Sequence, residues 1–172
     1  MVKAEGMTQP LWMELRRRRT CAERVGKLAE HLGLAETPLI WLCKRLGVGL
    51  WHASKMQDDS QLRIDAGKDG AHIYLNPALS REEQRWNLAH QIGHLMLHDL
   101  GPTGVHRDGR HRKATRQDEE ANAFAGELLM PHFPLAIYSH SVKYDSALIA
   151  QMFGVSKAAV NLRFQHLFYG AP

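Results

Sequence analysis

The segment NLAHQIGHLMLH, residues 87–98, carries two histidines four positions apart. On a helix, residues i and i+4 lie on one face about one turn apart, so His90 and His94 can bind the same metal ion. Zinc peptidases with an H-E-x-x-H motif use this spacing, and their glutamate takes a proton from the attacking water. Gln91 stands at the glutamate's position here, and a glutamine amide cannot accept a proton at neutral pH. The segment therefore predicts a metal site without its general base.

A catalytic zinc site needs a third protein ligand, and the acidic start of the next predicted helix is the best source. Three carboxylates occur there: Asp118, Glu119 and Glu120. Asp118 shares a face with the apolar positions of its helix, so it points at the histidines if that face packs on them. Glu119 stays a rival, and favourable charge at a helix N-terminus still explains two of the three acids. His98, one turn beyond His94, is a weaker candidate.

The surrounding elements are predicted from periodicity and capping signals. Ser80 and Glu83 form a plausible capping box for the histidine helix, and Pro131 stops the helix that begins near DEEANAFAGELLM. Residues 99–116 lack apolar periodicity and are predicted to be a loop. The remaining predicted elements are helices over 13–32 and, after a Thr37–Pro38 N-cap, from Leu39 to Leu46, and strands at Val48–His52, Gln61–Asp65 and Ala71–Asn76, the last two joined by a hairpin turn.

Length and composition predict one ordinary domain with a small appended module. The chain has 172 residues, of which 44% are hydrophobic and 23% charged, which is normal for a protein with a real core. It contains no apolar run of the roughly 18 residues that a membrane span requires, and we expect no secretory signal. Its two cysteines do not make a disulfide framework, so we expect a cytoplasmic protein.

The net charge of +4 comes mainly from two basic clusters, Arg16–Arg19 and a stretch within residues 106–116. The second cluster includes Arg107, Arg110, Arg112 and Lys113. Basic patches attract nucleic acid or acidic proteins, so one hypothesis is that single-stranded nucleic acid binds this loop and stimulates the site. A solvated helix end and a solvated loop are the simpler explanation.

Three stretches together, RWNLAHQIGHLMLH, DEEANAFAGELLMP and ALIAQMFGVSKAAVNLRFQHL, resemble the ImmA/IrrE family of bacterial and phage zinc metallopeptidases. The CapP type of anti-phage operons is a candidate subtype. The resemblance implies an α+β fold: a zincin-like domain with N-terminal helices, a short antiparallel sheet or hairpin, an HxxxH active-site helix and a C-terminal helix-turn-helix-like element. The corresponding division is a basic extension over 1–20, a peptidase domain over 21–135 and a helical tail over 136–172.

Family members typically cleave a partner repressor of the helix-turn-helix type, which induces a mobile-element, stress or anti-phage defence operon. The resemblance implies that His90, His94 and Asp118 hold zinc, although the family's third ligand is a glutamate, which leaves Glu119 open. Gln91 is the second departure. An engineered Glu-to-Gln change is favoured because the other motif residues are intact, and a natural pseudoenzyme is the alternative. In either case we expect this chain to be inactive.

Further roles are predicted around the zinc. An oxyanion donor is required, and the candidates are His132, His140 and Tyr144. A thiolate from Cys21 is a possible inhibitory fourth ligand, although a core position on its helix stripe is the stronger interpretation, as it is for Cys43. The strand Ala71–Asn76 is predicted to be a sheet edge that aligns the substrate by strand addition.

The tail supports an alternative function. Ala150, Gly154 and Val160 occupy positions typical of a helix-turn-helix, with Ser156 as the N-cap of the second helix. A DNA-binding or partner-binding regulatory module with a structural zinc is therefore the alternative to an enzyme. The second helix, Lys157–His166, offers few side chains that can read bases, so a structural or partner-docking role is favoured for it.

Overall fold

The computed structural model describes residues 39–65, 70–101, 103–109 and 113–169. Within these residues the chain forms six helices and a four-stranded sheet, which confirms the predicted α+β class. The helices are α1 (Leu39–Leu46), α2 (Arg81–Leu97), α3 (Arg116–Leu129), α4 (His132–Ser141), α5 (Ser146–Phe153) and α6 (Lys157–Tyr169). The strands are β1 (Val48–His52), β2 (Ser60–Asp65), β3 (Gly70–Leu75) and β4 (Val105–Asp108). The predicted helix 13–32, the Thr37–Pro38 cap and most of the hairpin turn lie outside the described residues.

The sheet has the strand order β1-β3-β2-β4 and is mixed, not purely antiparallel as expected. Strands β2 and β3 pair antiparallel as the predicted hairpin requires, while β1 pairs with β3 in parallel. The prediction that Ala71–Asn76 is a sheet edge is therefore wrong, because β3 has a neighbour on each side. Apolar alternation reports which face of a strand is buried but not which strands are its neighbours, so the sequence pattern did not contain this information.

Strand β4 is a second departure, because it lies inside the stretch that was predicted to be a loop. It pairs antiparallel with β2, with Asp108 opposite Ser60 and Val105 opposite Arg63, and forms an edge of the described sheet. Its side chains alternate, with Val105 and Arg107 exposed and His106 and Asp108 half-buried. A strand whose inner face carries polar side chains shows no apolar period, which is why the pattern missed it.

The sheet, α1, α2 and α3 share one hydrophobic core. Helix α2 is buried without interruption from Asn87 to Met96, because the sheet covers one side of it and α3 another. Gly93 makes the contact with α3 possible: a Cβ there would lie 3.0 Å from the carbonyl oxygen of Ala121. The backbones of α2 and α3 therefore approach each other closely at the turn of α2 that carries the histidines.

The tail helices share this hydrophobic core, and where α6 packs on α3 one buried cation joins the two helices. The Arg163 side chain of α6 is 4% exposed; its Nε donates to the Met130 carbonyl oxygen at 3.2 Å, and its guanidinium pairs with Glu127. The predicted turn is present, with Gly154 in the left-handed region and the Ser156 hydroxyl accepting from the Ala159 N–H at 3.1 Å. The predicted domain boundary at 135 falls inside α4, and the division itself stays a prediction.

No helix among the described residues has the length and apolar character to cross a membrane.

The rate at which the Cys43 thiol reacts is a measure of how tightly α1 packs. It is 2% exposed, and burial raises its pKa to about 11. Its thiolate fraction at pH 8 is then about a hundredfold lower than that of a thiol with the ordinary pKa. In a Cys21→Ser variant we expect an aromatic disulfide reagent to leave the folded protein unlabelled over minutes and to label one thiol at once in denaturant. Rapid labelling of the folded variant would contradict this packing.

Candidate metal centre

Helix α2 begins at a capping box that sets its start and therefore its histidine register. The Ser80 hydroxyl accepts from the Glu83 N–H at 3.2 Å, and the Glu83 carboxylate accepts from the Ser80 N–H at 3.0 Å. This confirms the predicted cap. His90 and His94 then fall on one face of the helix, 2% and 0% exposed, so both imidazoles must find partners inside the protein.

Three side chains converge at one point, and we call His90, His94 and Asp118 the metal centre. The Nε2 atoms of the two histidines lie 2.9 Å apart, and Asp118 Oδ1 lies 3.3 Å from His94 Nε2 and 3.9 Å from His90 Nε2. Two ligand atoms of a tetrahedral zinc ion with bonds near 2.0–2.1 Å are about 3.3–3.4 Å apart. The separation of Asp118 Oδ1 from His94 Nε2 matches this value, and the other two separations lie within about 0.6 Å of it. Two imidazole nitrogens and one carboxylate oxygen are also a donor set that zinc binds.

The other ring nitrogen of each histidine is already occupied. His90 Nδ1 lies 2.9 Å from the Asn122 side-chain oxygen, and His94 Nδ1 lies 3.0 Å from His98 Nδ1. His98 Nε2 in turn lies 3.1 Å from a Glu120 carboxylate oxygen. All three contacts are hydrogen bonds in one set of tautomers. In it, His90 Nδ1–H donates to Asn122, His94 Nδ1–H donates to His98 Nδ1, and His98 Nε2–H donates to Glu120. Both Nε2 lone pairs then face the metal centre, as metal ligation requires.

Electrostatics keeps both imidazoles neutral. Burial lowers the pKa of His90, and burial followed by the neighbouring histidines lowers the pKa of His94. With both protons on Nδ1, the two Nε2 atoms direct lone pairs at each other across 2.9 Å, which is unfavourable unless a cation lies between them. A metal ion satisfies both, and neutral imidazole is the form that binds it.

Asp118 holds its position because it is also a capping residue. Its Oδ2 accepts from the Thr115 N–H at 2.6 Å and from the Thr115 hydroxyl at 2.7 Å, which leaves Oδ1 for the metal centre. Burial raises the pKa of Asp118, but the hydrogen bonds from Thr115 outweigh it and leave the pKa below its ordinary value. Its rival Glu119 acts electrostatically on His166 of α6 instead. Asp118 is therefore the acid that the fold brings to the histidines.

Gln91 is buried beside this centre, and only one of the two polar atoms of its side-chain amide has a hydrogen-bond partner among the described residues. Its side chain is 0% exposed, and its Nε2 donates to the Ser60 hydroxyl of β2 at 2.8 Å. Its Oε1 has no hydrogen-bond partner among the described residues. A buried orphan acceptor costs about 1–3 kcal/mol, so this atom is expected to face a donor such as water when the centre is in use.

Strand β4 brings two further titratable side chains that sequence reasoning missed. His106 Nε2 lies 3.2 Å from Asp118 Oδ1, and the His106 ring stacks on His94 with centroids 3.5 Å apart. Asp108 Oδ2 lies 3.7 Å from His90 Nε2. The signal that could have identified them is their spacing of two residues. Side chains at i and i+2 lie on the same face when the segment is a strand.

The predicted oxyanion donors lie elsewhere in the described structure. His132 and His140 are exposed on α4, and Tyr144 is 57% exposed with its ring packed on Phe164 at 6.1 Å. No contact among the described residues joins any of them to the metal centre, so their role stays a prediction.

The regulatory residues are only partly within the described structure. Arg107 is exposed on β4, with its Nε 3.9 Å from Asp58, and Lys113 is exposed just before α3. Arg110, Arg112 and Cys21 lie outside the described residues. The nucleic-acid loop and the inhibitory thiolate both stay predictions.

Comparisons with known proteins identify the family and the fold of this chain. Residues 43–165 match the family described as Peptidase M78, IrrE N-terminal-like domain. The uncharacterized immunity region protein 2 of Bacillus phage phi105 is 28% identical over 96 residues, which are 56% of this chain and 60% of that protein's length. A Mycobacterium tuberculosis transcriptional regulator shares the fold, with a TM-score of 0.59 at 15% identity over 90% of this chain and 51% of that one. From the extent of the family match and the residues it spans, the chain belongs to the ImmA/IrrE family of metallopeptidases.

Proposed function

We propose that this chain is a cytoplasmic zinc-dependent endopeptidase, in a Gln91 form that binds its substrate but does not cleave it. The observation that carries the proposal is the metal centre: two buried histidines and one carboxylate within 4.8 Å of one another. The contacts of Asn122 and His98 support it, because they direct both Nε2 atoms inward.

A zinc ion bound at His90, His94 and Asp118 would supply a Lewis acid and an acidified water. A glutamate at position 91 would hold the proton of the attacking water at the oxygen that is orphaned in Gln91. The Ser60 hydroxyl would orient that carboxylate. Strand β4 pairs only with β2 among the described strands, so its outer edge would align an extended peptide by strand addition. This assigns to β4 the role that the sequence pattern assigned to β3.

The substrate that we propose is a partner repressor of the helix-turn-helix type, whose cleavage induces a mobile-element, stress or anti-phage operon. Support comes from the phage relative, which is described as an immunity region protein. This chain spans only 60% of that relative's length, so the partner is inferred from the shared domain alone.

The DNA-binding alternative has less support. Arg163, one of the basic side chains that helix α6 would use to read bases, is buried and paired with Glu127. The tail therefore keeps a helix-turn-helix-like form while its second helix is committed to packing on α3.

Restoring the general base should restore cleavage. We expect Gln91→Glu to cleave the helix-turn-helix repressor of its own operon at least about a hundredfold faster than the Gln91 chain, since a general base contributes about 10²–10⁴-fold. Mass spectrometry of the products is the measurement, with Gln91→Asn as the matched control. Cleavage that persists in excess chelator, or equal cleavage by all three proteins, would contradict the mechanism.

Asp118 and Glu119 offer a matched test of the third ligand. We expect Asp118→Asn, which can still accept hydrogen bonds from Thr115, to weaken zinc binding strongly, and Glu119→Gln to leave it unchanged. Competition with a chromogenic chelator measures both affinities, and thermal unfolding without metal checks that both variants fold. A larger loss in Glu119→Gln would make Glu119 the ligand.

The side chains that hydrogen-bond to the histidines should affect zinc affinity although they are not metal ligands. We expect Asn122→Ala and Glu120→Ala each to lower zinc affinity about 10–100-fold, because such partners orient ligating histidines. His132→Ala, at an exposed position, is the control and should not change the affinity. Unchanged affinity in both test variants would mean that these contacts only stabilise the fold.

A further inference from the structure

A cavity of about 220 Å³ lies outside the metal centre, between the N-terminal half of α2, the segment before β2 and the start of α6. Its walls are mostly apolar. The lining residues are Asp59, Leu79, Glu83, Trp86, Asn87, Ser156, Ala158, Ala159 and Leu162. We call this cavity the side pocket.

The side pocket lies on the same face of α2 as the metal centre. At about 100° per residue, Glu83, Trp86, Asn87, His90 and His94 fall within an arc of about 100°. Asn87 precedes His90 by three residues, so the nearest wall of the pocket is about 4.5 Å from the metal centre along the helix axis. The histidines and the pocket residues of α2 therefore occupy adjacent turns on one face of the helix.

A second wall joins the side pocket to the residues around the metal centre. The Asp59 N–H donates to the Asp108 carbonyl oxygen at 2.8 Å, and the Asp108 carboxylate lies 3.7 Å from His90 Nε2. The next residue, Ser60, accepts the hydrogen bond from Gln91. The segment before β2 therefore borders both the pocket and the residue at the general-base position.

The third wall is the tail. Ala158, Ala159 and Leu162 of α6 face the cavity, and the small alanines leave room beside Trp86. The ion pair of the buried Arg163 with the half-buried Glu127 holds this part of α6 against α3. The tail helix is in this way a wall of the side pocket.

We propose that the side pocket binds the side chain of the substrate residue next to the scissile bond, and that this side chain is a large uncharged apolar one such as leucine. The inference rests on the proposed function, since it assigns a substrate class to the same site. Apolar walls favour an apolar side chain. Both charged residues of the lining, Asp59 and Glu83, are carboxylates, and the lining contains no cation, so an acidic side chain is excluded.

The test needs binding rather than turnover, so it uses the zinc-loaded Gln91 chain as it is. Three peptide hydroxamates differ only in the side chain next to the zinc-binding group, which is isobutyl, hydrogen or carboxymethyl, and titration calorimetry measures each Kd. We expect the isobutyl compound to bind about 10–100-fold more tightly than the hydrogen compound, as for burial of one leucine side chain, and the carboxymethyl compound to gain nothing.

Variants on α6 then locate the effect. Ala158→Trp should fill the side pocket and abolish the isobutyl advantage, while Asn161→Trp, an exposed position on the same helix outside the lining, should keep it. Acetohydroxamate reports the metal centre alone and should bind all three proteins equally.

The outcomes separate the two proposals. If acetohydroxamate does not bind the zinc-loaded chain, the proposed function fails and the pocket assignment fails with it. If acetohydroxamate binds but the isobutyl group adds no affinity, or Ala158→Trp keeps the advantage, only the pocket assignment is overturned. Preference for the carboxymethyl compound would also overturn it.

Discussion

Two buried imidazole nitrogens 2.9 Å apart are the constraint on which the rest of the structure depends. When both histidines donate from Nδ1, their Nε2 lone pairs meet at this distance and a cation between them satisfies both. Burial lowers both pKa values and so favours the neutral imidazoles. Burial of the helix in turn requires the sheet above it and a close contact with α3 at Gly93. The sheet and α3 thus enclose this pair of histidines.

Helix α3 provides the side chains that contact the two histidines and His98, and these side chains lie within about one and a half turns of the helix. Thr115 caps the helix through Asp118 and so directs one carboxylate oxygen inward. Glu120 and Asn122, on the same helix, complete the contacts of His98 and His90. Further along, Glu127 holds the tail through Arg163. In the proposed site, one helix would therefore supply the third ligand and orient the other two, and it also holds the wall of the side pocket.

Local signals predicted the elements well. The Ser80 capping box, the strands of the hairpin and the Gly154 turn all occur where pattern and spacing placed them, because each depends on residues close in the chain. The parallel pairing of β1 with β3 and the existence of β4 were not predicted. Both depend on pairing between distant segments, and β4 has polar residues on its inner face, so neither leaves a periodic signal.

The sequence by itself determined the histidine spacing, the missing base at Gln91 and the family, since these depend on residue type and short-range order. Tertiary structure alone decided how the centre is completed. It favoured Asp118 over Glu119, placed His106 and Asp108 beside the histidines, and formed a pocket from α2 and α6. The physical reason is that ligand choice and pocket shape depend on how distant helices and strands pack, and packing is a property of pairs of elements that no single segment encodes.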